Sequence, residues 1–177
     1  RLCDEHGAFL RSGASHRATP LLDLCRIYGA TRAVETGEES ADDLAFLQGK
    51  ATSLGGLRPK CTLRDVDGTL AIGKFPSVAD TRSLPRGEVL ALELMRRADL
   101  APASARLVDV EGTPVAVIGR FDRTPAGMRL PYLSAGSLLL ARRDEDRAYT
   151  EVVDALRRVG AAPSEDVRLL WRRLVFN

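Results

Sequence analysis

Residues 53–75, S-L-G-G-L-R-P-K-C-T-L-R-D-V-D-G-T-L-A-I-G-K-F, are the most informative part of the chain. The glycine pair Gly55-Gly56 precedes two extended patterns, which lie on either side of Asp67-Gly68. An Asp-Gly pair between extended segments is a strong hairpin signal, because glycine readily takes the positive φ that a tight turn needs. The stretch therefore predicts a glycine turn followed by an antiparallel hairpin.

A helical pattern and a second hairpin signal follow this stretch. Pro85 begins the helix, and Glu88 lies in its first turns. Apolar residues at helical spacing predict its buried side: Val89, Leu90, Leu92, Leu94 and Met95. Two further strand patterns flank Glu111-Gly112. Beyond Ser134 the patterns predict helices only, roughly over residues 135–141, 148–159 and 164–176.

Two helices are predicted ahead of the glycine pair. Thr19-Pro20 is typical of a helix start, because proline fits the first helical position. The apolar stripe that follows predicts a helix ending near Gly29 or a little beyond. Ser40 is expected to cap the second helix, which has acidic residues in its first turn.

Composition places the chain among ordinary globular proteins. It has 177 residues, of which 45% are hydrophobic and 28% charged, and no apolar run approaches the roughly 20 residues that span a bilayer. The net charge of +2 gives no general case for nucleic-acid binding, and the late arginines are interpreted as solvated helix faces. Cys3, Cys25 and Cys61 are odd in number and widely spaced, which favours a reducing, cytoplasmic location. Because no apolar run is long enough to span a bilayer, no membrane partner is expected.

Lys74 stands out because it lies in an otherwise apolar strand pattern, where an ammonium group either points to solvent or needs a compensating acid. Glu88 is the candidate acid. Phosphoryl transfer requires phosphates to be held and their charge neutralised, largely by backbone amides and one or two cations. Gly55-Gly56 would let the main chain approach phosphate oxygens, and Lys60 adds a nearby cation. The residues alone also permit an ordinary turn and an exposed strand face.

The order of hairpin, helix, hairpin and then helices predicts an α+β fold. The same order of elements is found in a protein-kinase-like amino-terminal lobe, which is an antiparallel sheet plus a helix, followed by the first helices of a helical lobe. We expect an incomplete helical or irregular subdomain over residues 1–52, a β-rich nucleotide-binding lobe with a hinge over 53–122, and the start of the helical carboxy-terminal lobe over 123–177.

Several segments resemble the HipA family of serine/threonine kinases, the toxins of bacterial type II toxin–antitoxin modules. In chain order they are S-L-G-G-L-R-P-K, L-A-I-G-K-F-P-S, G-E-V-L-A-L-E-L, G-R-F-D-R, P-Y-L-S-A and L-W-R-R-L-V-F-N. They extend from residue 53 to residue 177, which is most of the chain.

The resemblance implies an ATP site. Residues 53–60 would form the phosphate loop, Lys74 would bind the nucleotide, and Glu88 would pair with Lys74. The ATP-binding residues that the resemblance implies are Gly55, Gly56, Lys60, Lys74, Glu88, Gly119 and Phe121.

Two further roles come from the same resemblance. Residues 119–121 would be the hinge whose backbone holds adenine, and the family often has glutamate where this chain has Gly119. Ser53 matches the regulatory serine whose autophosphorylation expels the phosphate loop. A phosphate adds a charge of about −1.5 to −2, which would oppose bound ATP.

Family members continue beyond the L-V-F-N segment into a catalytic loop and a metal-binding aspartate, which these 177 residues do not contain. The expectation is therefore an ATP-binding portion, truncated before the catalytic loop and inactive alone, with its Mg²⁺ ligands elsewhere and no catalytic or metal-ligating residue here. The implied partners are a protein substrate, which in relatives can be an aminoacyl-tRNA synthetase, and a DNA-binding antitoxin. No direct contact with nucleic acid is expected.

Two alternatives remain at the level of sequence. One is a non-catalytic regulatory or partner-binding module built on a degenerate kinase lobe. The other is a nucleic-acid binder that uses arginines of the last helices around Trp171, although the neighbouring apolar residues favour packing of Trp171 in a core.

Overall fold

A computed structural model of the chain describes residues 19–20, 23–47, 58–142 and 144–177. It divides into two compact units. The first comprises the described residues up to Leu94 together with Pro102–Leu130, and the second comprises Met95–Ala101 and Pro131–Asn177. The first unit is built on a β-sheet and the second on helices, so the predicted α+β class is confirmed.

The sheet has the spatial order β1-β2-β3-β5-β4. Its four longer strands pair with one another antiparallel, and the two-residue strand β1 pairs parallel with β2. The strands are β1 (Thr19–Pro20), β2 (Lys60–Arg64), β3 (Leu70–Lys74), β4 (Ala105–Val110) and β5 (Thr113–Gly119).

Both predicted hairpins are confirmed. Gly68 has a φ of 83°, and Glu111 and Gly112 have φ values of 52° and 79°, so each turn contains the positive φ that its glycine allows. In the first hairpin Lys60 pairs with Lys74 across the strands. This register places both lysines at the same end of the sheet.

Helix α1 (Leu24–Thr36) packs on the sheet. The core joins its Leu24 and Ile27 to residues of every strand from β2 to β5 and to the residue after β3: Cys61, Leu63, Ala71, Phe75, Val110, Val115 and Val117. A Cβ added to Gly73 would lie 2.9 Å from Leu63 Cδ2 and 3.2 Å from Cys61 Sγ. The glycine before Lys74 therefore leaves space for the packing of the core.

The predicted start and end of the first helix are wrong. Thr19-Pro20 is an edge strand, and the helix begins at Leu24 and continues through Gly29 to Thr36. An edge strand tolerates proline because the missing amide is not needed for pairing on that side. Gly29 is accommodated on an exposed helical surface, and Gly37, with a φ of 73°, ends the helix.

Helix α2 (Ala41–Leu47) begins at the predicted cap. The Asp43 amide donates to Ser40 Oγ at 3.1 Å, and the Ser40 amide donates to Asp43 Oδ2 at 3.0 Å. These reciprocal bonds satisfy amides that the helix itself leaves unpaired.

Helix α3 (Leu84–Arg97) follows β3, as predicted, but its expected buried side is partly wrong. Pro85 is its one buried residue, while the side chains of Leu90 and Leu94 are 60% and 48% exposed. Helical spacing identifies an apolar face, and it does not establish that another element covers that face.

The second unit contains α4 (Ala135–Leu138), α5 (Tyr149–Val159) and α6 (Pro163–Phe176). Arg172 and Arg173 of α6 donate to the carbonyl oxygens of Ala98 and Ala101 at 2.7 and 2.8 Å. These two arginines therefore bind backbone carbonyls. The sequence-based interpretation of them as purely solvated is wrong.

Trp171 is 66% exposed, so the prediction that it packs in a core is wrong for the part of the chain that the structure describes. The apolar spacing of α6 resembled a core stripe, but that spacing carries no information about a covering partner. None of the helices in the described ranges is both long enough and apolar enough to cross a membrane.

Candidate functional site

The end of β3 and the first turns of α3 bring two predicted site residues together. Lys74 Nζ forms an ion pair with Glu88 Oε1, which joins the last residue of the strand to a helix that begins ten residues later. The side chains are 35% and 37% exposed, so both remain reachable by solvent. A cation held in place at a solvent-accessible wall is suited to meeting an anionic ligand.

Lys60 lies directly opposite Lys74 in the β2–β3 ladder. Burial, together with the nearby Lys74 ammonium, lowers the pKa of Lys60. Two ammonium groups at neighbouring positions repel each other, and an anion placed between them would relieve that repulsion. The hairpin register thus concentrates positive charge at one end of the sheet.

Both lysines line a cavity of about 630 Å³. This volume is typical of small-molecule sites, which span roughly 300–1,000 Å³. Among the described residues, the lining contains four cationic side chains, those of Arg58, Lys60, Lys74 and Arg82, and one carboxylate, that of Glu88. The first turn of α3 also lines the cavity, with the positive end of its helix dipole. The cavity is therefore suited to an anion.

The cavity lining also includes an apolar residue, Phe75. Phe75 is 2% exposed and belongs both to the hydrophobic core and to the cavity lining. Its ring stacks on Tyr28 of α1, with centroids 5.9 Å apart. The wall next to Lys74 is therefore fixed by the core of the first unit.

Arg58 lies two residues before Lys60. It anchors the connection between β3 and α3 through an ion pair with Asp80. Its Nη1 donates to Asp80 Oδ1 and Oδ2 at 2.6 and 2.8 Å. The hydrogen bond from Arg58 and then the amide of Ser77 lower the pKa of Asp80. The Val78 amide in the same connection donates to Glu35 Oε2 of α1 at 3.1 Å.

Sequence reasoning missed these contributions of Arg58, Asp80 and Arg82. Arg58 stood within the quoted S-L-G-G-L-R-P-K segment, but its partner is 22 residues away. The segment around Asp80 and Arg82 has the composition of an ordinary polar loop. The sequence did show a basic residue, Arg58, close to Lys60. It gave no sign that Asp80 is the acid with which Arg58 pairs.

The predicted hinge residues lie elsewhere in the first unit and do not line this cavity. Gly119 ends β5, and its amide donates to Ser104 O at 2.8 Å. A Cβ added at this position would lie 2.3 Å from Ser104 Oγ, so a larger residue would require the Ser104 side chain to move. Phe121 is 68% exposed.

A buried charge cluster begins within the predicted hinge and extends just beyond it. Arg120 Nε and Nη2 donate to the two carboxylate oxygens of Asp122 at 2.8 and 2.6 Å. Arg123 Nη1 donates to Asp122 Oδ2 at 2.9 Å. These contacts, with the hydrogen bond from Arg120 foremost, lower the pKa of Asp122, which is 8% exposed.

Three predicted residues of the phosphate loop, Ser53, Gly55 and Gly56, lie outside the described residues. In the described ranges no group of three or more His, Cys, Asp or Glu side chains could hold a metal ion. Cys61 is buried, which raises the pKa of its thiol to about 12, while Cys25 is exposed.

Comparison with known proteins identifies one family. Residues 52–177 match the family model described as HipA-like C-terminal domain. The match covers most of the chain, including both cavity lysines, residues 119–121 and the last three helices. Searches of curated proteins and of solved structures each found no match.

Proposed function

The chain belongs to the family of HipA-like C-terminal domains, and from this membership we propose that it is the ATP-binding portion of a serine/threonine protein kinase. One observation carries the proposal, namely the Lys74–Glu88 ion pair in the wall of a cavity that also contains three other cations. Kinases of this general type use a strand lysine, held by a helix glutamate, to contact nucleotide phosphates.

The chemistry of the cavity fits a triphosphate. Phosphoryl transfer leaves little covalent work to the protein, which must mainly hold and orient charged oxygens. Lys74 would donate to those oxygens while Glu88 fixes the position of its ammonium group. Because the lysine is already held in place before binding, less side-chain entropy is lost when the ligand arrives.

The remaining assignments of the site are proposals of the same kind. Gly55, Gly56 and Lys60 would cradle the phosphates, and the backbone of residues 119–121 would hold adenine. Ser53 would be the regulatory phosphosite. Mg²⁺ would neutralise phosphate charge when bound, and we assign neither its ligands nor any catalytic residue to this chain.

The proposed partners rest on the family resemblance. They are a protein substrate with an acceptor serine or threonine, of which an aminoacyl-tRNA synthetase is an example, and a DNA-binding antitoxin. A toxin–antitoxin role and a cytoplasmic location belong to the same proposal.

The Lys74→Ala variant tests the proposal. We expect its affinity for a non-hydrolysable ATP analogue to fall by about tenfold to a hundredfold, because a charge-assisted hydrogen bond to phosphate is removed. Titration calorimetry would measure the affinity. The matched control is Arg86→Ala, since Arg86 is an exposed cation of α3, the helix that carries Glu88, and lies outside the cavity lining.

A second control separates binding from folding. The double variant Lys74→Glu with Glu88→Lys retains an ion pair between strand and helix, and it moves the cation to the helix side. We expect a thermal midpoint near that of the wild-type chain together with weak binding of the analogue. Unchanged affinity in Lys74→Ala, or equal loss in Arg86→Ala, would contradict the proposed function.

A further inference from the structure

The cavity holds more positive charge than the Lys74–Glu88 pair explains. From its lining and charge balance we propose that Arg82 is a specificity-determining residue, which binds the terminal phosphate and distinguishes a nucleoside triphosphate from a diphosphate. This inference rests on the proposed function and assigns one phosphate of the ligand to one side chain.

Apart from Lys60, which the proposed function already assigns to the phosphates, the charge balance points to Arg82. The charge of Lys74 is balanced by Glu88, and that of Arg58 by Asp80. Arg82 is exposed, lines the same cavity, and makes no hydrogen bond or ion pair with any residue that the structure describes. Its guanidinium keeps its charge at any physiological pH, so it offers a permanent, uncommitted cation.

The side-chain chemistry of Arg82 favours phosphate. A guanidinium presents several N–H donors in a planar fork, which matches two oxygens of one phosphate group. In kinases the strand lysine contacts the phosphates nearer the nucleoside. A further cation in the same cavity is then available for the outermost phosphate, where a triphosphate and a diphosphate differ.

The backbone that carries Arg82 is held on several sides. The Ser77 amide donates to Asp80 Oδ2 at 3.0 Å, and the Asp80 amide donates to Ser77 O at 3.1 Å. Arg58 clamps the same Asp80 carboxylate, whose side chain is 7% exposed. Two residues after Asp80 the chain reaches Arg82, and α3 begins two residues later. Arg82 thus follows a turn that is anchored at Asp80, so the backbone that carries it is held beside the cavity.

The test compares Arg82→Gln with Arg86→Gln in the 177-residue chain. The ligands are ATP, ADP and inorganic tripolyphosphate in metal-free buffer, with dissociation constants from titration calorimetry. For Arg82→Gln we expect about a tenfold loss of affinity for ATP and less than about a twofold loss for ADP. Arg86→Gln, which removes the same charge from the exposed helix surface, should change both by less than about twofold.

A third variant separates charge from geometry. Arg82→Lys keeps the positive charge and loses the planar fork, so its affinity for ATP should lie between those of the wild-type chain and Arg82→Gln. Circular dichroism melting of each variant would verify folding. If Arg82→Gln melts well below the wild-type chain, the comparison of Arg82→Lys with wild type decides, and equal ATP-to-ADP ratios in those two overturn the inference.

Other outcomes are equally decisive. Equal losses for ATP and ADP in Arg82→Gln, or no loss at all, would overturn the role of Arg82 while leaving ATP binding in place. Binding of tripolyphosphate but not ATP, with a tenfold dependence on Arg82, would keep the anion role and remove the nucleotide function. Failure of the wild-type chain to bind any of the three ligands would end both.

Discussion

The cavity around Lys74 and the cluster around Asp122 use the same chemical groups in opposite ways. In the cluster one carboxylate accepts from Arg120 and Arg123, and the three side chains are 7–16% exposed. In the cavity the Lys74–Glu88 pair is about one-third exposed, and further cations stand beside it. In the cluster, the buried Asp122 carboxylate is fully used in holding neighbouring arginines. In the cavity, the exposed Lys74–Glu88 pair and the cations beside it can still bind an anionic ligand.

Solvent access explains why the two arrangements differ in energy. Removing one partner from a buried charge pair leaves an uncompensated charge, which costs several kcal/mol. An exposed pair contributes little to stability, because water already solvates both groups. The comparison therefore predicts that substitutions in the cluster change stability, and that substitutions in the cavity change binding.

Asp122→Ala should have the largest effect. Arg120 and Arg123 would lose their shared acceptor in a buried setting, and the free energy of unfolding should fall by about 3 kcal/mol. Urea denaturation followed by circular dichroism would measure it. The matched control is Asp154→Ala, because Asp154 is exposed and pairs with Arg157 at 3.5 Å, and its loss should cost less than about 0.5 kcal/mol.

A small effect of Asp122→Ala, equal to that of Asp154→Ala, would break the comparison. It would mean that the cluster is no more stabilising than an ordinary surface pair. The stability of Lys74→Ala, measured in the same series, should resemble that of the surface control.

Much of the first unit could be predicted from local sequence. Asp67-Gly68 and Glu111-Gly112 identify both hairpins because the positive φ is required by the turn itself. Lys74 was identifiable because an isolated cation in an apolar strand pattern points to solvent or needs an acid, and Glu88 in the next helix pattern was the candidate that the family resemblance paired with it. These signals depend on residues close together in the chain.

The errors share a different cause. Thr19-Pro20 satisfies local rules for a helix start, yet pairing with β2 makes it a strand. Leu90 and Trp171 lie on apolar faces that no described element buries, and sequence spacing cannot show whether a face is covered. The ion pair between Arg58 and Asp80 joins residues 22 positions apart, so only the fold reveals it.

A smaller effect is expected at acid pH, where the Asp122 cluster should lose part of its contribution to the free energy of unfolding. Asp122 has a lowered pKa in the folded chain, chiefly because Arg120 donates to its carboxylate. Below the ordinary aspartate pKa of about 3.9 the unfolded chain binds this proton more readily than the folded chain does. The stabilisation is therefore present above that pH and is lost as the pH falls through the lowered value.

Asp122→Asn isolates this contribution. The wild-type chain should lose more free energy of unfolding between pH 6 and pH 3 than Asp122→Asn, because the variant has no carboxylate to protonate. Urea midpoints at the two pH values would show the difference. Parallel losses in the two proteins would assign acid sensitivity to other carboxylates and contradict the proposed role of the cluster.

The most direct test of the central proposal, that ATP binds with its triphosphate at Lys74, uses the small number of lysines. The chain has three, Lys50, Lys60 and Lys74. An ATP derivative with an acyl group on its terminal phosphate transfers that acyl group to a nearby lysine amine and releases ATP, and mass spectrometry identifies the lysine modified. We predict acylation of Lys74 or its cross-strand neighbour Lys60, suppressed by excess ATP. Acylation of Lys50 alone, or labelling that ATP does not suppress, would contradict the account.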